Sequence, residues 1–75
     1  MKLCELSEEQ VVPSIVLRSM ASDMIGIITS VLTEKEDRMP SAVILWLNGE
    51  ESWVFLHQAE NEIVFMPPRV GSILR

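Results

Sequence analysis

The residues that could perform acid–base, nucleophilic or metal chemistry are few and scattered along this chain of 75 residues. His57 is the only histidine, and catalysis or metal binding there would require a second histidine, a cysteine or a carboxylate pair at ligand spacing. Glu60 and Glu62 follow it, but two acids and one histidine beside a turn occur readily by chance. We therefore favour no catalytic or ligand role for His57.

The other nucleophilic side chains lack partners that would activate them. Cys4 is the only cysteine, and it lies in an N-terminal segment that we expect to be mobile, without a positioned base. No serine stands in a nucleophile-elbow motif, and three isolated glycines form no phosphate-binding loop. We expect a protein without enzymatic activity, metal or cofactor.

Charge and composition exclude further classes of function. Eleven acidic and six basic residues give a net charge of -5, and the basic residues are scattered instead of clustered along a phosphate-binding groove. No apolar run approaches the roughly 20 residues of a membrane helix, and a single cysteine forms no internal disulfide. We expect neither nucleic acid nor membrane as a partner, and a reducing cytoplasm or an intracellularly assembled particle as the location.

The clearest structural signal is a β-hairpin followed by one more strand. Residues 42–47 form an apolar run rich in β-branched and aromatic types, and Asn48-Gly49 is a preferred hairpin turn. Residues 52–56 return as the partner strand. Residues 62–66 resume the strand pattern, which Pro67-Pro68 ends by removing two backbone donors.

The preceding chain supplies two further strands. Residues 14–18 and 24–33 are rich in β-branched side chains, and Gly26 suggests a bulge in the second of them. Apolar spacing at 24–32 also permits a helix, although its β-branched content argues against one. The charge-dense residues 34–40 are predicted as a solvated loop and 57–61 as a tight turn.

Five strands with short connections predict an all-β fold, a small five-stranded SH3-like barrel. We expect a single domain over residues 1–75, in which 1–11 and 67–75 are flanking segments.

Both faces of the last three strands are apolar, although a half-buried strand should alternate apolar and polar residues. A domain of this size has one interior and no helical layer to cover the other face. Either the terminal segments fold over that face, or it binds protein, through self-association or a larger assembly. We favour a protein interface, and predict that its residues are Val43, Leu45, Leu47, Val54, Leu56, Val64 and Met66.

The strand sequences also carry a family resemblance. The matching pieces are SIVLR at 14–18, MIGII at 24–28, AVILWLNG at 42–49, Ser52-Trp53 and ENEIV at 60–64. In these the chain resembles small SH3-like barrel proteins, of the KOW or Tudor type, from tailed bacteriophages. The likeness covers about two-thirds of the chain. The chain differs from these families in two respects. It lacks the basic residues of nucleic-acid-binding KOW modules, and it lacks the tyrosine-rich groove of peptide-binding SH3 domains.

The resemblance implies no enzyme, but a structural or interaction protein of a phage, located in the host cytoplasm or the virion. A homo-oligomer or a larger protein assembly is the expected partner. One alternative is a small acidic regulator or inhibitor of a host nucleic-acid-processing enzyme. It predicts carboxylates gathered on one face, at Glu34, Glu36, Asp37, Glu50 and Glu51. The least favoured alternative is a nucleic-acid-binding barrel or a Tudor-like reader, whose cage requires several aromatic rings that converge on one cation.

Overall fold

The computed structural model describes residues 1–32 and 39–68. No helix in this part of the chain is long and apolar enough to cross a membrane. Single 3₁₀ turns span Leu3–Glu5, Glu8–Gln10 and Leu56–Gln58. The strands are β1 (Val16–Arg18), β2 (Ile25–Leu32), β3 (Ser41–Trp46), β4 (Glu51–Phe55) and β5 (Glu62–Phe65). The predicted end of β2 at Thr33, most of the charged loop and the tail at 69–75 lie outside the described residues.

The five strands form one antiparallel sheet in the order β4-β3-β2-β1-β5. This confirms the all-β class, and residues 25–32 are a strand and not a helix. The sheet is open in the described part of the chain, since β4 and β5 form its two edges without pairing with each other. The tight turn expected after the fourth strand is the 3₁₀ turn at Leu56–Gln58, which carries the chain from one edge to the other.

The β3–β4 hairpin closes with a three-residue loop. The amide of Gly49 donates to the carbonyl of Trp46 at 2.9 Å, and the amide of Trp46 donates to the carbonyl of Glu50 at 2.8 Å. Gly49 has a φ of 90°, which glycine adopts without steric cost. This arrangement is a turn followed by a left-handed residue, a common connection for antiparallel strands. The predicted position of the turn is confirmed.

The bulge in β2 lies at Thr29 and not at Gly26, where the sequence suggested it. The pairing with β3 shifts between Ile28 and Ser30. The extra residue leaves both Thr29 and Ser30 exposed and returns Val31 to the core side, where it packs against the buried cluster. The bulge therefore places a polar pair on the outside without removing Val31 from the interior.

The N-terminal segment is part of the core. Leu3, Leu6 and Val11 are buried together with the core-facing residues of the sheet. The amide of Leu3 donates to the carbonyl of Asn61 at 2.9 Å, and that of Cys4 to the carbonyl of Ala59 at 2.8 Å. The expectation of a mobile segment around Cys4 is therefore wrong, because these bonds and the burial of Leu3 fix it. The full core is Leu3, Leu6, Val11, Ile15, Leu17, Ile28, Ala42, Ile44, Leu56 and Ala59.

An exposed ion pair joins the start of the chain to β5. The Met1 amino group donates to the Glu62 carboxylate. This hydrogen bond raises the pKa of the amino group above 8.0. The same bond lowers the pKa of the Glu62 carboxyl below 4.5, and the charge of the amino group lowers it further.

Glu62→Gln is expected to remove a small, pH-dependent contribution to stability. The lowered carboxyl pKa makes the contribution present above 4.5 and lost as pH falls through the folded value. The raised amino pKa makes it present below 8.0 and lost as pH rises through the folded value. Urea unfolding should therefore separate the two proteins most at about pH 6, and less at about pH 3 and pH 10. A difference that is independent of pH would contradict this role of the pair.

Candidate functional site

Strand pairing assigns each face of the sheet. Ala42 and Ile44 on β3 are fully buried, whereas Val43 and Leu45 between them point to the opposite side. Directly paired residues share a face, so the register extends this assignment to the neighbouring strands. We call the side opposite the core the outer face.

One apolar row crosses four strands of the outer face. Phe65 of β5 pairs with Val16 of β1, Val16 pairs with Ile27 of β2, and Ile27 pairs with Leu45 of β3. Phe65 is 52% exposed, and Ile27 and Leu45 are each 37% exposed. On β4 the row ends at Glu51, the partner of Leu45. The row is therefore apolar across most of the sheet and acidic at one end.

Aromatic side chains continue the outer face on β4. Trp53 pairs with Val43 and is 59% exposed, and Phe55 is 40% exposed. Their rings contact each other, with centroids 5.9 Å apart and planes tilted by 50°. The apolar residues that strand pairing places on the outer face are Val16, Ile25, Ile27, Leu32, Val43, Leu45, Trp53, Phe55 and Phe65.

Of the predicted interface residues, the two that follow the hairpin loop lie on the core side of the sheet. Leu56 is 2% exposed and belongs to the core, and Val54 packs against that core. Neither can belong to the outer face. The alternation placed Trp53 and Phe55 opposite Val54 and Leu56, but only the length of the hairpin loop decides which pair points inward.

The other predicted interface residues are accessible. Val43 and Leu45 lie on the outer face, and Leu47 is exposed in the hairpin turn. Val64 and Met66 are also exposed. Val64 is the extra residue of a bulge, because β5 pairs with β1 at Ile63 and at Phe65 with a shift between them. The bulge turns Val64 and Phe65 outward together.

The sequence prediction missed Val16, Ile25, Ile27, Leu32, Trp53, Phe55 and Phe65. In the sequence, nothing distinguishes these residues from apolar residues that pack in the core. The pairing of Val16 with Ile27, and of Val43 with Trp53, is the signal that places them. This pairing joins residues that are distant in sequence, so it cannot be predicted from local sequence patterns.

The candidate chemical groups do not converge. His57 is exposed in its 3₁₀ turn, Cys4 is half-buried, and the Glu62 carboxylate binds the Met1 amino group. Within residues 1–32 and 39–68, no group of three or more histidine, cysteine or acidic side chains could hold a metal ion. Within this part of the chain, these groups are therefore not brought together.

Two further predicted arrangements can be placed. Trp46 lies on the core side and its Nε1 donates to the Ser52 Oγ at 2.8 Å, so it does not share a face with Trp53. No cage forms from these two rings. Of the acids assigned to the regulator alternative, Glu50 and Glu51 are exposed, and the other three lie outside the described residues.

No protein-family model matches this chain, and neither a curated protein nor a solved structure is detectably similar to it. Its function must therefore be inferred from its own surface and core.

Proposed function

We propose that this chain is a non-catalytic interaction protein whose outer face binds protein, as a component of a larger assembly. The observation that carries the proposal is the outer face itself, on which each of the five strands places at least one apolar residue. A phage-like structural protein, in the host cytoplasm or the virion, is the class that the sequence resemblance suggests. Its partner there would be another copy of the chain or a different protein of the particle.

The cost of leaving this face in water supports the proposal. Six of its side chains, Ile27, Leu32, Leu45, Trp53, Phe55 and Phe65, are each at least 37% exposed. Full burial of a large apolar side chain is worth about 1.5–3 kcal/mol relative to full exposure. Even at half that value, the sum is comparable to the stability of a small domain, about 5 kcal/mol at the low end. Contiguous apolar patches of this kind mark interaction sites on soluble proteins.

The strand order supports an SH3-like arrangement for the scaffold. The sheet runs β4-β3-β2-β1-β5, with a 3₁₀ turn between β4 and β5 and a long, bulged β2 in the middle. In such an arrangement the long strand bends and contributes to both halves of a partly open barrel. The outer face then curves around the outside of the molecule, where a partner can reach it.

Substitution of Leu45 by lysine tests the outer face. A charge at the centre of the face must be desolvated in any complex that covers it, whereas in the free chain it remains in water. We choose lysine because Glu51 lies directly opposite, and a second acid there would destabilise the strand pair. Light scattering coupled to size exclusion should show a wild-type mass above that of the Leu45→Lys chain.

Met20→Lys is the matched control. Met20 is 67% exposed in the turn between β1 and β2, outside the outer face, so the same change should leave the mass at the wild-type value. Equal masses for wild type and Leu45→Lys, over a concentration series, would rule out self-association through this face.

A further inference from the structure

The two edges of the open sheet are protected unequally. The β5 edge carries a bulge at Val64, ends at Pro67-Pro68 and is covered at its start, where the Ile63 amide donates to the Met1 carbonyl at 2.8 Å. Bulges, prolines and covering segments are the usual devices that prevent edge-to-edge pairing. The β4 edge, Glu51–Phe55, has no lysine, proline or register shift. Its charged protection is limited to Glu51 at one end.

The hydrogen-bond pattern shows which backbone groups β4 presents at this edge. The Leu56 amide donates to the Pro40 carbonyl, and the Trp46 amide donates to the Glu50 carbonyl. Residues 40 and 56, and residues 46 and 50, therefore lie opposite each other at hydrogen-bonded positions of the β3–β4 ladder, which we call narrow pairs. Narrow and wide pairs alternate in an antiparallel ladder, so Ser52 and Val54 direct their backbone groups toward β3. The amides and carbonyls that point away from β3 therefore belong to Glu51, Trp53 and Phe55.

These outward groups have no partner within the described part of the chain. No backbone hydrogen bond beyond the β3 ladder involves residues 51–55 there. They are regularly spaced, at every second residue, as an added antiparallel strand requires. The side chains of the same three residues lie on the outer face, where Trp53 and Phe55 already contact each other.

We propose that β4 pairs with β4 of a second copy, antiparallel and around a two-fold axis at Trp53, which joins two sheets into one. The inference rests on the proposed function, because it names a second copy as the first partner of this interaction protein. In this register Trp53 lies opposite Trp53 of the second copy, and Glu51 lies opposite Phe55 of the second copy. All three donors and all three acceptors of each edge are then satisfied.

Other registers satisfy fewer groups. A shift of two residues leaves the outward backbone groups of one residue in each copy without a partner. A shift of one residue moves every outward group out of position. The two-fold register also keeps the two Glu51 side chains apart, each beside a phenylalanine instead of a second acid. The joined sheets extend the outer face continuously across the dimer, which gives a larger surface for the next partner.

The Leu45→Lys background isolates this contact from association through the outer face. In that background we expect a dimer, with twice the chain mass of 8.5 kDa by light scattering. Adding Trp53→Pro removes an outward amide and leaves the β3 ladder intact, because proline is tolerated on an edge strand whose N–H faces solvent. The dimer dissociation constant should rise at least about tenfold. Trp53→Ala retains the amide and should weaken the dimer less than Trp53→Pro does.

Cysteine substitution tests the register, in a Cys4→Ser chain that lacks other thiols. Residues opposite each other in a narrow pair have Cα atoms about 5.5 Å apart, within the range that a disulfide spans. Trp53→Cys should therefore form a covalent dimer under mild oxidation. Phe55→Cys alone should not, but a mixture of Phe55→Cys with Glu51→Cys should.

The outcomes distinguish this proposal from the function on which it rests. A Leu45→Lys chain that is already monomeric, a dimer unaffected by Trp53→Pro, or a dimer lost on deletion of residues 69–75 would overturn edge pairing. The first of these results leaves the outer face as the interface. Equal wild-type and Leu45→Lys masses would instead overturn outer-face association, while a dimer sensitive to Trp53→Pro in both chains would support the edge. The near-UV circular dichroism of half-buried Trp46, which every variant retains, should show that each variant is folded.

Discussion

Truncation of Leu3 to alanine is expected to reduce the unfolding free energy by about 2–4 kcal/mol. Leu3 is fully buried in the core, and its amide bonds the carbonyl of Asn61 beside β5. Removal of its three outer carbon atoms leaves a cavity in the core that the sheet cannot fill, because core residues such as Leu17 and Ile28 are held in place by strand pairing. For a domain of this size the loss approaches the total stability.

Val12→Ala provides the control within the same segment. Val12 is 39% exposed, so its truncation should change stability by no more than about 0.5 kcal/mol. Urea unfolding followed by tryptophan fluorescence measures both variants. A cost for Leu3→Ala no larger than that for Val12→Ala would show that the N-terminal segment does not belong to the core.

Substitution of Gly26 by alanine is expected to cost about 1–3 kcal/mol, although alanine is the better strand residue. A Cβ at this position would lie 2.5 Å from the Cε3 of Trp46 and 2.7 Å from the Cγ2 of Ile44. The indole cannot tilt freely away, because its Nε1 donates to the Ser52 Oγ. The strand pair must therefore separate or the ring must leave its hydrogen bond.

A double-mutant cycle with Trp46→Leu separates packing from backbone preference. Leucine leaves room above β2, so Gly26→Ala should cost less in that background than in the wild type. Stability is again measured by urea unfolding, with circular dichroism in place of tryptophan fluorescence. A neutral or stabilising Gly26→Ala in the wild-type background would mean that the ring does not pack on this glycine.

The strands and the hairpin could be predicted because their signals are local. The β-branched runs, the Asn48-Gly49 turn and the closing prolines each specify backbone conformation within a few residues. The glycine in β2 was assigned to a bulge because a strand glycine has two explanations, a bulge or a close approach of another group. The structure shows that the second explanation applies, because the ring of Trp46 on β3 lies against Gly26. The actual bulge, at Thr29, has no glycine to mark it.

The role of the N-terminal segment could not be predicted, because it depends on contacts across nearly the whole chain. Leu3, Leu6 and Val11 follow neither a strand nor a helix period, because they lie in or directly after two 3₁₀ turns, the first of which is hydrogen-bonded to the carbonyls of Ala59 and Asn61. The candidate site was half predictable for a similar reason. Alternation identified two apolar faces, but the loop of the β3–β4 hairpin decided which face Trp53 occupies.

The apolar residues that alternate along the strands thus lie on two different faces of the sheet. One side of the sheet, with the N-terminal segment, forms the interior, and the other side remains open within the described residues. Ile44 and Leu45 are adjacent in sequence and lie on opposite sides of this division. Substitution of Ile44 by a charged residue should therefore prevent folding, whereas the same change at Leu45 should prevent only association through the outer face.

The most direct measurement is the mass of the Leu45→Lys chain by light scattering, taken beside its unfolding free energy. Self-association through the outer face predicts a smaller mass than that of the wild type, at an unfolding free energy within about 1 kcal/mol of the wild-type value. An unchanged mass would contradict self-association through this face, and a folded chain that loses several kcal/mol would place Leu45 in the core instead.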